Sequence, residues 1–578
     1  MKFDPTRPLV VQNDFTVLVE THHPDFEAVR TQLSQFADLL KSPEHLHTYK
    51  ITPLSVWNAA ASGMKLEEIT SFLQQKAKFG LPTAVLGGIR KYVYRYGVLR
   101  LESVGNELHL VSDDTVILKE IIGRESLSSY LREAKGERAI SISQEHRGLL
   151  KQELIKMGYP VDDMAVYRSG EHVPIDFRQE TFEAEPFQLR DYQRSAVEAF
   201  RCTEAAGRGA SGGSGVLVLP CGAGKTIIGI GAMEAYNCAT LILTTNVTSV
   251  KQWKREILSK TSLTEEQVGE YTGACKEVKP VTIATYQILT HRANKEDEFS
   301  HMQIFHQREW GLIIYDEVHL LPAPVFRATA DIQATRRLGL TATLIREDGR
   351  EEDVFSLIGP KRYEIGWKEL ESSGYIAKVA CIELRVPLED KAREDYAFSD
   401  AKRQFRIAGE NIVKLDVIDA LLKQHEQEQV LIIGQYLDQL ERISQRTGAP
   451  VINGEMPQEQ RDILYQKFKD SSVSVLIVSK VANFAVDLPD ASVAIQVSGS
   501  FGSRQEEAQR LGRVLRPKKG TNSAVFYSIV SRDTKEQDFS LKRQLFLVQQ
   551  GYQYAWLDWE HWQQSTETGG HHEVRAGV

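Results

Sequence analysis

The sequence predicts an α/β protein whose body is two similar lobes, each with a largely parallel sheet, preceded by small α+β units. Three observations carry that reading. Its 578 residues exceed what one hydrophobic core fills. From Val216 to about Ile365 short apolar strands alternate with amphipathic helices, as a sheet covered on both faces requires. A second block with the same alternation starts near Lys414.

The expected units in chain order are an N-terminal winged-helix-like module (1–112), a second small unit (113–180) and a first lobe (181–365). A connector (366–412), a second lobe (413–552) and a short tail (553–578) follow. In the first module a strand pair over Leu9 to Glu20 precedes an amphipathic helix from Asp25 to Leu40, built on Phe26, Val29, Leu33, Phe36, Leu39 and Leu40. Helices are expected over Pro53 to Ser62, Lys65 to Lys76 and Pro82 to Tyr96, and strands over Val98 to Ser103 and Glu107 to Val111. Such a module binds DNA or protein in some cases and only packs in others. The second unit alternates strands (Thr115 to Leu118, Ala139 to Ile142) with helices (Gly123 to Glu133, Gln144 to Lys156). Ile175 to Phe187 reads as a linker, and the Gly/Ser/Ala-rich run Ala205 to Gly215 as a surface loop.

The first lobe's strands are placed at 216–220, 240–245, 281–286, 311–316 and 337–342. Those of the second are placed at 429–434, 449–452, 474–479, 492–498 and 523–531. Two such lobes joined by a bridge leave a cleft.

Composition narrows the class. The chain is 42% hydrophobic and 26% charged with a formal net charge of −8, an ordinary soluble balance that excludes a uniformly basic coat but not a local basic channel. Five cysteines lack metal or disulfide-framework spacing, which predicts a reducing compartment and no structural zinc. The N-terminus lacks a signal-peptide core and no stretch is long and apolar enough for a membrane span, so a cytoplasmic protein is expected.

The motifs carry the chemistry. LPCGAGKT, Leu219 to Thr226, follows a strand and opens a helix. Gly222, Ala223 and Gly224 let backbone N–H groups wrap phosphate oxygens at a helix N-terminus, Lys225 reaches the terminal phosphates of ATP, and Thr226 holds Mg²⁺. The strict pattern has glycine where this chain has Leu219. Downstream, a strand ends in Asp316-Glu317-Val318-His319. Asp316 is expected to hold the metal and Glu317 to polarise the attacking water. Arg190 and Gln193 precede the lobe, where the Gln193 amide can pair with an adenine edge. In the second lobe a helical stretch presents Gln509, Arg513 and Arg516. Arginines three apart share a face, and their guanidinium forks can neutralise charge on the γ-phosphate across the cleft. A solvated basic helix is the alternative.

Together Lys225, Asp316, Thr341-Ala342-Thr343 and Gln509 to Arg516 resemble the ordered motifs of superfamily 2 helicases. Arg346-Glu347-Asp348, LIGPKRYE at 357–364, QRLGRVLRPK at 509–518 and SPEHLHTYKITPLSVWNAAASG at 42–63 narrow the resemblance to the XPB group. It implies two RecA-like lobes, DNA-dependent ATP hydrolysis, 3′-to-5′ DNA unwinding in repair and a Bax-type nuclease partner. By the same resemblance Arg346, Glu347 and Asp348 open the duplex. Thr244, Thr245, Thr285, Tyr286 and Gln287 lie in strand-contact motifs, Thr341 and Thr343 couple hydrolysis to the strand, and Asp487 belongs to the second lobe's site. The 113–180 unit matches the region called the damage-recognition domain.

The chain departs from the group's pattern at Ala482-Asn483, followed by Phe484, where Gly-Asp is usual, and in the short thumb-like segment Glu389 to Ile412. A duplex DNA translocase without unwinding, an RNA helicase and a noncatalytic scaffold are the competing readings. Trp556, Trp559 and Trp562, spaced three apart, are expected on a helix packed against the second lobe.

Overall fold

The computed structural model describes residues 3–42, 45–105, 107–182, 184–201, 212–292, 299–333, 335–344, 346, 349–479, 491–499, 511–512, 522–552 and 554–567. Two seven-stranded sheets, parallel throughout, form its body. The first runs in the order Val268–Tyr271, Val281–Thr285, Thr240–Thr244, Leu312–Asp316, Arg336–Thr341, Ser214–Val218, Lys361–Glu364. Its central strands are buried along their whole length, as strands covered by helices on both faces must be. The second runs Val451–Ile452, Val475–Ser479, Val430–Gly434, Val493–Gln496, Ser523–Ser531, Lys378–Val386, Tyr554–Asp558. This is the expected pair of parallel α/β lobes.

All ten expected lobe strands are present, and four further strands join them. Lys361–Glu364 is a charged edge strand. Lys378–Val386 lies well inside the second sheet, so that sheet begins within the segment expected to be a connector. Tyr554–Asp558 places Trp556 on a strand, while Trp559 and Trp562 stack at 5.0 Å in the helix Trp559–Glu567 and join the second lobe's core.

Ahead of the lobes lie a four-stranded antiparallel sheet (Leu9–Val11, Thr16–Glu20, Leu46–Lys50, Asp38–Lys41) and a five-stranded sheet (Leu131–Ala134, Ala139–Ile142, Glu107–Val111, Leu99–Val104, Val161–Asp163). The second sheet unites strands from both sides of residue 112, so the expected boundary falls inside a sheet. The expected long helix over Asp25 to Leu40 stops at Leu33, and Asp38–Lys41 turns back as a strand paired with Leu46–Lys50. Thr115–Ile122, expected to begin as a strand, is a helix. Its β-branched residues are overridden by the Asp114 carboxylate, which accepts from the N–H groups of Val116 and Ile117 at 2.9 and 3.2 Å. The helix expected over Gly123 to Glu133 is a single 3₁₀ turn followed by the strand Leu131–Ala134. Among the described residues no helix is long and apolar enough to cross a membrane.

Candidate active site

The phosphate loop follows the buried strand Ser214–Val218 and ends where the helix Lys225–Tyr236 begins. Gly222 and Gly224 have φ of 83° and 74°, left-handed values that glycine adopts without a steric penalty. Between them Ala223 is buried, and its carbonyl accepts from the Tyr192 hydroxyl at 2.8 Å and from Gln193 Nε2 at 3.4 Å. Gln193 also accepts the Arg190 N–H on Oε1 at 3.0 Å. Both ends of the Gln193 amide are therefore engaged by protein, and the side chain sits against the loop: a Cβ on Gly224 would stand 2.7 Å from its Nε2. Arg190 lies over the Tyr375 ring at 5.1 Å.

Across the loop, the strand Leu312–Asp316 delivers both acids. Glu317 Oε1 accepts from Lys225 Nζ at 2.6 Å. Burial alone would lower the Lys225 pKa, but Glu317, Cys221 and Asp316 outweigh it and hold the ammonium more firmly charged than a free lysine. Glu317 has φ 51° and ψ 53°. A non-glycine residue in this region stores strain on the order of 1–3 kcal/mol. Asp316 is pushed up to about 6, chiefly by burial and then by the adjacent Glu317 charge, with Lys225 and the Trp253 hydrogen bond opposing. Trp253 Nε1 donates to Asp316 Oδ2 at 2.9 Å, and the Tyr286 hydroxyl donates to the Asp316 carbonyl at 2.9 Å.

His319 is buried, which lowers its pKa to about 4, so it is neutral at pH 7. Its Nδ1 meets Thr341 Oγ1 at 2.7 Å, and that hydroxyl donates to the Thr343 carbonyl at 2.6 Å. Arg346 donates to the carbonyls of His319 and Leu321 at 2.8 and 3.3 Å and stacks over Phe326 at 4.9 Å. His319, whose Nδ1 lies 3.5 Å from Glu317 Oε2, thus stands between the strand-end acids and both Thr341 and Arg346.

The expected strand contacts are placed differently. The side chains of Thr244, Thr285, Thr341 and Thr343 are buried. Thr244 lies 3.4 Å from Asp316 Oδ2, and Thr285 caps the short helix Tyr286–Leu289. Their hydroxyls serve the lobe's own framework, whereas Gln287 is exposed and Thr245 half-buried. Arg346, expected at the point of duplex opening, is bound to its own lobe. Glu347, Asp348, Ala482, Asn483, Phe484, Asp487, Gln509, Arg513 and Arg516 lie outside the described residues. From the second-lobe stretch 502–520 the described pair is Leu511, which is buried, and Gly512. A Cβ on Gly512 would stand 2.1 Å from Cys221 Cβ, so the backbone at Gly512 lies directly on the phosphate loop.

Sequence reasoning missed Trp253, Tyr192 and the Gly512–Cys221 contact. Trp253 shares the buried side of the helix Val247–Lys260 with Val250 and Ile257, and so reads as core; its Asp316 partner is distant in sequence.

A half-buried lysine lies beside a glycine cradle, and a hydroxyl opening the helix and a carboxylate at the strand end form a hard oxygen donor pair. That set suits a Mg²⁺-bound nucleoside triphosphate and no softer metal.

Three family models match the chain: ERCC3/RAD25/XPB C-terminal helicase over residues 370–572, a helicase conserved C-terminal domain over 9–135, and the type III restriction enzyme res subunit over 186–346. A "DNA 3'-5' helicase XPB" of Kineococcus radiotolerans is 49% identical over 554 residues, covering 95% of this chain and 96% of that protein. The protein of the same description from Mycobacterium tuberculosis is 48% identical, with 95% and 98% covered. The general transcription and DNA repair factor IIH helicase/translocase subunit XPB/SSL2 of Saccharomyces cerevisiae is 31% identical, with 95% and 72% covered. With near-full-length identity at this level and the glycine cradle, Lys225, Asp316 and Glu317 assembled at the C-terminal ends of two interior strands of one sheet, the chain belongs to the XPB family of DNA helicases.

Proposed function

We propose that this protein is an ATP-dependent 3′-to-5′ DNA helicase acting in DNA repair, in which hydrolysis at the Lys225–Asp316–Glu317 site drives translocation and duplex opening. The observation that carries the reading is the 2.6 Å Lys225–Glu317 pair beside a loop on which Gly512 of the other lobe rests. The backbone amides of Gly222, Ala223 and Gly224 and the Lys225 ammonium would hold the phosphates of ATP, and Thr226 and Asp316 the Mg²⁺. Bound Mg·ATP supplies the phosphoanhydride whose cleavage powers the cycle. In the form described, Lys225 and Glu317 neutralise each other; parting that pair frees the Glu317 carboxylate to accept a proton from water. Arg513 and Arg516 supply cross-lobe charge in this reading, with Gln509 a water or phosphate contact and Asp487 beside them. Movement between lobes then shifts one of them along the strand.

A second reading, duplex translocation without strand separation, draws support from Arg346, whose guanidinium is occupied by the His319 and Leu321 carbonyls. The yeast relative is itself described as a helicase/translocase. The relatives' descriptions support DNA as the partner, whereas the Bax-type nuclease rests on the group resemblance and is tested by co-purification.

The deciding experiment is steady-state ATPase of wild type and Lys225→Ala with no nucleic acid, single-stranded DNA, blunt duplex, forked duplex and RNA, alongside strand separation on forks. DNA-stimulated hydrolysis with separation of the fork bearing a 3′ tail, both abolished in the variant, is expected. Duplex stimulation without separation selects the translocase. Stimulation by RNA alone, or no hydrolysis under any condition, overturns the DNA-motor reading.

A further inference from the structure

Trp253 is fully buried, yet its one polar atom is spent on a functional side chain: Nε1 donates to Asp316 Oδ2 at 2.9 Å. A second donor to that oxygen, the Thr244 hydroxyl, is 3.4 Å away, at the weak end of hydrogen bonding. The ring itself is fixed from the opposite side. A Cβ on Gly229 would stand 2.5 Å from its Cη2, so a glycine in the helix Lys225–Tyr236 is what admits the indole. That helix begins with Lys225 and Thr226. A single rigid side chain therefore spans the phosphate-binding helix and the strand-end acid.

We infer that Trp253 is the positioning residue of the metal site: its indole N–H fixes the orientation of the Asp316 carboxylate relative to the Lys225 helix. The chemistry favours indole for this task. It is a donor only, so it cannot reverse its polarity as a hydroxyl can. Mg²⁺ demands near-ideal octahedral geometry, and a carboxylate free to turn about its Cβ–Cγ bond meets that demand only part of the time. Partners that orient a metal ligand are worth about 10- to 100-fold in metal affinity or activity. The inference rests on the nucleotide-site reading.

The test is the thermal stabilisation of the full-length protein by ADP, titrated with Mg²⁺ and compared with ADP in EDTA, for wild type and Trp253→Phe. Phenylalanine keeps an aromatic ring against Gly229 and deletes the donor. The expected result is a Mg²⁺ midpoint raised about 10-fold or more, an unchanged stabilisation by metal-free ADP, and a fall in ATPase kcat partly restored by high Mg²⁺. An unchanged midpoint overturns the assignment. Equal loss of metal-free and metal-dependent binding also overturns it, by showing a packing role. If Trp253→Phe does not fold, Gly229→Ala displaces the indole while retaining it; a rise in the Mg²⁺ midpoint supports the role and no rise overturns it. A wild type that ADP and Mg²⁺ fail to stabilise sinks the nucleotide-site reading instead, so the two failures are distinguishable.

Discussion

Asp163 sits among cationic side chains with little access to solvent: Arg147 Nη2 is 2.6 Å from Oδ1, and Lys151 Nζ is 2.9 Å from Oδ2. Lys151 also donates to Gln333 Oε1 at 2.7 Å, which joins the helix Arg147–Lys156 to the first lobe. Asp163→Asn leaves the buried Arg147 guanidinium without its acid, a change that costs about 3–5 kcal/mol and shows as a lower unfolding midpoint in urea. Lys151 responds to pH. Burial pulls its pKa down to about 7, with Arg337 and Arg147 adding to the effect and Asp163 opposing it. Above pH 7 the folded protein gives up this proton while the unfolded chain keeps it up to the ordinary lysine value, so this group makes stability rise with pH across that window. The stability of wild type relative to Lys151→Met should therefore increase from pH 7 to pH 9 in urea unfolding, and a constant difference would contradict it. Neither Lys151 nor Trp253 announces itself in the sequence, because each is defined by a partner brought near only by folding. Lys225, Asp316 and Glu317 are legible because loop, strand end and spacing specify their chemistry locally.

Helices and strands in the lobes are legible for a related reason. Runs such as Val430–Gly434, and Leu241 to Leu243 within Thr240–Thr244, are apolar because helices cover both faces of the sheet, and that pattern survives without tertiary knowledge. Lys361–Glu364 is read poorly because an edge strand can be charged. Lys378–Val386 breaks the alternation, burying Val379 and Cys381 on one face, Leu384 and Val386 on the other and Glu383 between them, and its parallel partner Ser523–Ser531 lies far along the chain. The contact between the phosphate loop and the helical stretch at Gly512 is an element-scale feature with a direct test. Gly512→Ala puts a methyl group 2.1 Å from Cys221 Cβ, so one element must retreat from the other. Overpacking on the order of 1–3 kcal/mol predicts an ATPase lower by about tenfold, read at saturating DNA. Cys221→Gly removes the opposing Cβ and should restore part of that loss in the double variant. Equal activity of Gly512→Ala and wild type would mean that the lobes do not close on this contact during turnover.

At the scale of the molecule, the N-terminal module holds both lobes at once. On the first lobe, Trp57 packs against Phe355 at 6.3 Å, and Asn58 Oδ1 accepts from the Lys361 N–H at 3.0 Å. On the second, Arg30 Nη1 donates to the Gln549 carbonyl at 2.7 Å, and Leu545 is buried in the same cluster as Leu33 and Leu39. No local pattern in the sequence foretells these bonds, which is why the first module reads there as a separate unit. A module fastened to both lobes resists any motion that parts them, so one of its two attachments limits how far the cleft opens. The second-lobe attachment is a charge-assisted hydrogen bond worth about 1.5–3 kcal/mol beside the buried Leu545 and the partly buried Val548. Arg30→Ala with Leu545→Asp removes that bond and puts a charge where the leucine was buried. The nucleotide-free double variant should show a larger radius of gyration in small-angle X-ray scattering than wild type, while residues of the phosphate loop stay untouched. Unchanged dimensions would place the restraint on the cleft elsewhere, in the contact between Gly512 and Cys221.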